Sequence, residues 1–142
     1  MLMRLNALIL NNATLIRQFS KFAVIGLLGF AVDSTFLYFG IHALDLTHVE
    51  AGFFSFPFAV TFTWIGNRIF TFRHAKHLPA AEQLTKFVIV CLIGLFFNRG
   101  TYALLDTYVP FIHTNWIIGL VAGTAVSMFF NFFASRKHVF GL

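Results

Sequence analysis

Charge is what this 142-residue chain has least of: Asp, Glu, Lys and Arg make up 11% of it, against 58% hydrophobic residues and 21 Phe. So little polar surface excludes a water-soluble domain of this length. There is one cysteine, Cys91, so no internal disulfide can form and the redox compartment stays open. The chain has no Gly-rich phosphate loop, no nucleophile beside an oriented base and no convergent carboxylate pair, which argues against enzymatic chemistry and against a cofactor.

What is present is apolar length. Four runs approach the roughly 20 residues a helix needs to cross a bilayer: about residues 22–41, 51–70, 87–105 and 115–134. They leave no room for a separate soluble domain, and the expected fold class is an all-α integral membrane protein of four transmembrane helices. The segment from Met1 to Asn12 has one basic residue and a short apolar core, too little for a signal peptide, and reads as an interfacial turn on the bilayer.

The formal charge of +5 has the sign that nucleic acid attracts, but the placement of the charges argues otherwise. Arg4, Arg17 and Lys21 precede span one; Arg68, Arg73, Lys76 and Lys86 lie between spans two and three; Arg136 and Lys137 end span four. The opposite loops hold Asp45, Glu50 and Asp106 and no Lys or Arg. The positive-inside rule then puts both termini and the central loop in the cytoplasm. The same face would attract anionic headgroups.

The chain also repeats itself. Gln18-Phe19-Ser20-Lys21-Phe22 recurs as Gln83-Leu84-Thr85-Lys86-Phe87, and the halves close with Arg68 and Phe72, then Arg136 and Phe140, at the same spacing. This divides a single domain over 1–142 into repeat one (18–74), a cytoplasmic loop (75–82) and repeat two (83–140). With two spans each, both copies insert the same way, so the repeat is parallel, with its axis along the membrane normal. Gly26, Gly29 and Asp33 align with Cys91, Gly94 and Asn98. Ala51, Ser55, Ala59 and Thr63 align with Gly119, Gly123, Ser127 and Asn131. Such small-residue stripes let helices approach closely in lipid, and packing alone explains most of them.

The polar positions on these stripes ask for more. Asp33 lies twelve residues past Lys21, about 18 Å along a helix and so near mid-bilayer. Arg99 lies at a similar depth past Lys86. Each charge alone would cost about 2.5 to 3.5 kcal/mol there, which favours an Asp33–Arg99 pair inside the bundle. The pair reads as structural glue or as a polar point on a substrate path. Asn98 adds a neutral amide suited to sugar hydroxyls, and Asn131 ends the matching stripe. At the cytoplasmic ends Asn67-Arg68 aligns with Ser135-Arg136. With Lys21 and Lys86 these arginines would form a ring of four cations suited to phosphate. Arg73, Lys76 and Lys137 read as ordinary snorkelling anchors.

Weaker signals complete the survey. His74 and His77 have a ligand-like spacing but only Glu82 nearby, so no metal is expected. Trp64, Trp116, Tyr38, Tyr102 and Tyr108 fall mostly near span ends, as aromatic belts do.

Taken together, Lys21-Phe22-Ala23-Val24-Ile25-Gly26, Asp33, and the run from Phe62 through Asn67-Arg68-Ile69-Phe70-Thr71-Phe72-Arg73 resemble the GtrA-like family of small bacterial membrane proteins. In the second half, Asn98 and Asn131 through Phe140 resemble the family's closing segment, so the likeness covers about Phe19 to Phe140. The resemblance implies a four-helix protein of the bacterial inner membrane that flips a polyprenyl-phosphate-linked sugar, typically undecaprenyl-phosphate glucose, for cell-surface polysaccharide modification. Its implied partners are that lipid and the membrane glycosyltransferases that load and use it. Four helices enclose little volume, so a homodimer or higher oligomer, or a lipid-open groove between the small-residue stripes, is expected. The candidate substrate-binding set is Lys21, Asp33, Asn67, Arg68 and Lys86, with Asn98, Arg99, Asn131 and Arg136. Two other classes compete: a membrane adaptor for a polyprenyl glycosyltransferase, and a small multidrug-type exporter. Such exporters work as antiparallel pairs with little charge bias, whereas nine of the ten Lys and Arg here fall on one side.

Overall fold

The structure, a computed structural model, describes residues 2–77 and 79–142, and for 2–11, 76 and 77 the backbone alone. The side chains of Arg4, Lys76 and His77 therefore lie outside the described residues. The chain folds as two compact units, Met1–His77 and Leu78–Leu142. In the first, helix α1 (Leu2–Ala43) packs on α2 (His48–Gly66), followed by a π-helical turn, Asn67–Thr71, and a short 3-10 turn, Arg73–His77. In the second, α3 (Ala80–Tyr108) and the short α4 (Pro110–Thr114) lead to α5 (Trp116–Ala134), which ends in another π-helical turn, Ser135–Val139.

The expected interfacial turn before span one is instead helical. No Gly occurs before Gly26 and no Pro before Pro57, so nothing breaks the backbone and α1 runs unbroken from Leu2. It stops at a tight bend. Asp45 takes a left-handed φ of 52°, and the Leu46 N–H returns to the Gly40 carbonyl at 3.1 Å. A reciprocal capping box then starts α2: the Thr47 N–H donates to Glu50 Oε2 at 2.9 Å, and the Glu50 N–H donates to Thr47 Oγ1 at 3.4 Å.

Among the described residues three segments are long and apolar enough to cross a membrane: Asn12–Ala43, Ala80–Tyr108 and Trp116–Val139. The second expected span does not join them on length and composition. His48 and Glu50 open α2, and Pro57 and Trp64 further dilute its apolar content. The spans bury little within the protein and present bare apolar side chains outward, among them Leu27, Phe53 and Phe96. Such surfaces suit lipid as solvent.

Each helix pair is held by a close approach at small residues. A Cβ on Gly29 would fall on the Thr63 side chain, and one on Gly94 would fall on the Asn131 amide. A Cβ on Gly123 would lie 2.6 Å from the Asn98 carbonyl oxygen, and one on Gly40 would lie 3.2 Å from the Ala51 methyl. Gly26 behaves differently from the rest of its stripe: its Cβ position meets open space. The stripes thus interlock within each helix pair, and the groove expected between them is filled by this packing.

At the other end of each pair a phenylalanine plugs the hairpin. Phe72 closes the first π turn through its N–H to Asn67 O at 2.8 Å, and its ring meets Phe22 at 6.3 Å. Phe140 closes the second through Ser135 O at 2.9 Å, and meets Phe87 at 6.4 Å. Phe72 and Phe140 are both almost fully buried. The extra residue of a π turn must leave polar groups unsatisfied or find them partners. In the first turn the Asn67 side chain supplies them, donating to Thr63 O and accepting from Thr71 Oγ1, each at 2.9 Å.

Gly123→Ala is expected to destabilise the protein by about 1 to 3 kcal/mol, because the added methyl meets backbone that cannot yield. Gly52→Ala, whose methyl meets open space, should be neutral or slightly stabilising. Thermal unfolding of both variants in detergent checks the contrast. The bonds from Thr47 hold the Glu50 carboxyl below its ordinary value of 4.5. The stabilisation it gives is therefore complete above that value and lost as pH falls through the lowered one. The unfolding-temperature difference between wild type and Glu50→Gln should shrink on acidification from about pH 6 to pH 3.

Candidate functional site

The sequence-predicted residues fall at two levels within the units. Asp33 is half-buried, ten residues before the end of α1, and accepts a 2.7 Å hydrogen bond from Ser55 Oγ on α2. The same hydroxyl lies 3.3 Å from Gly52 O, so its single proton serves the shorter contact to the carboxylate. In the second unit Asn98 Nδ2 donates to Thr124 Oγ1 at 3.3 Å. Asn131 lies inside its helix pair against Gly94, with Oδ1 buried and lacking a hydrogen-bond partner. Arg99 stands exposed on α3. Asp33 and Arg99 belong to different units.

The cations gather at the π-turn end of each unit. Lys21 Nζ donates to Phe70 O, a carbonyl of the π turn, at 3.2 Å. Arg68 lies over the Trp64 ring at 5.7 Å from its centroid. Asn67 is committed to the π turn itself. Lys86 forms an i,i+4 ion pair with Glu82 at 2.6 Å. Arg136 lies in the second π turn beside Ser135, whose Oγ is buried without a hydrogen-bond partner.

An open, mainly apolar groove adjoins the cations in each unit. In the first, a groove of about 490 Å³ is lined by Lys21, Val24, Leu28, Phe70 and Arg73, with Ser20 and Ile25. In the second, a groove of about 640 Å³ is walled by Ile89, Ile93, Phe130 and Phe133 and headed by Lys86, Lys137 and His138. Lys137 and Arg73, read from sequence as plain anchors, thus line the grooves, and Arg68 and Arg136 do not. The nearest signal in the sequence was the Arg-to-Phe spacing, which by itself suggests an ordinary helix turn.

Residues 21–140 match the family described as GtrA/DPMS, transmembrane domain. The chain belongs to that family. No curated protein matches it. This GtrA/DPMS domain is a multi-pass membrane protein, and membership points to the handling of polyprenyl-phosphate sugars. Among the described residues no three His, Cys, Asp or Glu side chains gather as a metal site would require.

The acids near the loops opposite the cations have local roles that charge counting does not reveal. Glu50 caps α2, and Asp106 meets His113 of α4 at 3.2 Å. Ser55, a stripe residue in the sequence, is the partner that Asp33 uses. A double-mutant cycle with Asp33→Ala and Ser55→Ala should give a coupling of about 1 to 3 kcal/mol, the range for a hydrogen bond to a charged acceptor. Additive losses in unfolding free energy would show that the bond contributes nothing.

Proposed function

We propose that this GtrA/DPMS domain flips a polyprenyl-phosphate-linked sugar, such as undecaprenyl-phosphate glucose, across the bacterial inner membrane. The observation that carries this reading is an apolar groove open to lipid and headed by cations, in a chain of this family. In this reading α2 with its π turn is the fourth span, and both termini face the cytoplasm with nine of the ten Lys and Arg. The phosphate enters among the cations at that face, where Lys21, Lys86, Arg68 and Arg136 supply its field. The prenyl tail stays in lipid, which removes the need for an enclosed pore. The sugar crosses past Asp33, Asn98 and Arg99.

The exposed Arg99 supports a substrate path at mid-depth. A guanidinium facing hydrocarbon is costly, and an anionic or hydroxyl-rich passenger lowers that cost. The Ser55 bond to Asp33 favours the competing reading, in which Asp33 is structural and the protein is an adaptor for a membrane glycosyltransferase. The flippase would act between one glycosyltransferase that loads the lipid and another that uses it outside, as a homodimer or higher oligomer.

Purified protein in liposomes, supplied with a fluorescent polyprenyl-phosphate sugar, should accelerate its movement between leaflets relative to empty liposomes. No acceleration would sink the flippase. Arg99→Ala should abolish movement, and Asp33→Ala in the same chain should not restore it. Recovery in the double variant would make the two residues a structural pair.

A further inference from the structure

The second unit carries a feature that the flippase reading does not use. Beside the apolar groove lies a smaller cup of about 280 Å³, lined by Pro79, Val139 and Gly141, by Glu82 and Gln83, and by the same Lys86, Lys137 and His138 that head the groove. The three basic side chains therefore form a wall shared by an oily groove and a cup that also holds a carboxylate.

We infer that these two compartments form a docking site for a sugar-bearing lipid phosphate, selective for the loaded lipid over the bare prenyl phosphate. The tail lies along Ile89, Ile93, Phe130 and Phe133. The phosphate sits on Lys86, Lys137 and His138. The sugar enters the cup, where the exposed Glu82 carboxylate accepts from its hydroxyls. This rests on the reading of the protein as a handler of polyprenyl-phosphate sugars.

Selectivity follows from charge. Lys86 and Lys137 bring two positive charges and Glu82, 2.6 Å from Lys86, brings one negative, so the lining carries a formal +1 with His138 neutral. A sugar-linked prenyl phosphate is a diester with a single negative charge, which this site balances. A bare prenyl phosphate is a monoester with roughly −1.5 to −2 at neutral pH, by analogy with a phosphorylated side chain. Its extra charge would face the Glu82 carboxylate without compensation. Glu82 thus serves twice, as a hydroxyl acceptor and as a filter against the unloaded lipid.

The first unit shows why the site belongs to the second. Its groove has a similar apolar wall, but the positions matching Lys137 and His138 are Ile69 and Phe70, and the position matching Glu82 is Arg17. The two ends of the repeat have diverged at the residues that would read a headgroup.

The test measures binding separately from transport. The protein in nanodiscs of zwitterionic lipid is titrated with a short-chain prenyl-phosphate glucose, with the bare prenyl phosphate and with phosphatidylglycerol. Wild type should bind the glucose-bearing lipid about tenfold more tightly than the bare phosphate, a difference of about 1.4 kcal/mol. Lys86→Ala with Lys137→Ala should weaken both by about tenfold or more, and Glu82→Gln should narrow the gap between them. These side chains are exposed, so the variants should keep the wild-type circular dichroism and unfolding temperature. Equal affinity for the loaded and bare lipids, binding unchanged in the lysine variant, or displacement by equimolar phosphatidylglycerol would overturn the site. Binding as expected without movement in liposomes would overturn the flippase alone. Movement that persists in the lysine variant with unaltered binding would overturn the site alone.

Discussion

Close backbone approach within each helix pair is the constraint on which the rest of the structure depends. In lipid, two helices gain nothing from hiding apolar surface, because the solvent is as apolar as they are. Van der Waals contact and a few hydrogen bonds must hold them, and both require short interhelical distances. Gly29 against Thr63, Gly94 against Asn131 and Gly123 against the Asn98 backbone provide those distances. Once the helices touch there, polar groups at the same level find partners across the seam, as Asp33 does in Ser55 and Asn98 in Thr124.

The same constraint governs the ends. Each pair is closed at one end by a buried phenylalanine set by a π turn. The turn fills the hairpin with one side chain and redirects the following ones outward. Beside that plug an apolar groove reaches basic side chains, so a hydrocarbon surface and a phosphate-attracting one share an edge. That adjacency suits an amphipathic lipid. It arises because basic side chains near the π turn, Arg73 in one unit and Lys137 with His138 in the other, line the grooves.

Much of this was legible in the residues. Composition placed the chain in a membrane, and the family motifs between Lys21 and Phe140 identified it. The matched small positions at Gly29 and Gly94 do take the close contacts, since only the absence of a side chain permits such an approach. Gly26 lies on the same nominal stripe yet faces open space, because helical periodicity defines a face only to within a broad arc. The expected four-cation ring illustrates a different limit. Arg68 and Arg136 match in sequence, but a local change of helix type decides that Lys137, His138 and Arg73 line the grooves. The helix before Asn12 and the cap at Thr47 and Glu50 were missed because apolar content and charge placement outweighed local start and stop signals.

The sequence by itself determined the medium, the family and the end of the molecule at which positive charge collects, because these follow from sums over many residues. Only the tertiary structure decided which polar groups are occupied and which face a groove. Asp33 is bonded to Ser55, and Lys137 with His138 stands between the apolar groove and the smaller cup. Those outcomes turn on contacts between residues distant in the chain and on a single extra residue in a helical turn. A shift of one position along a helix rotates a side chain by about 100°, and no sum over composition records it.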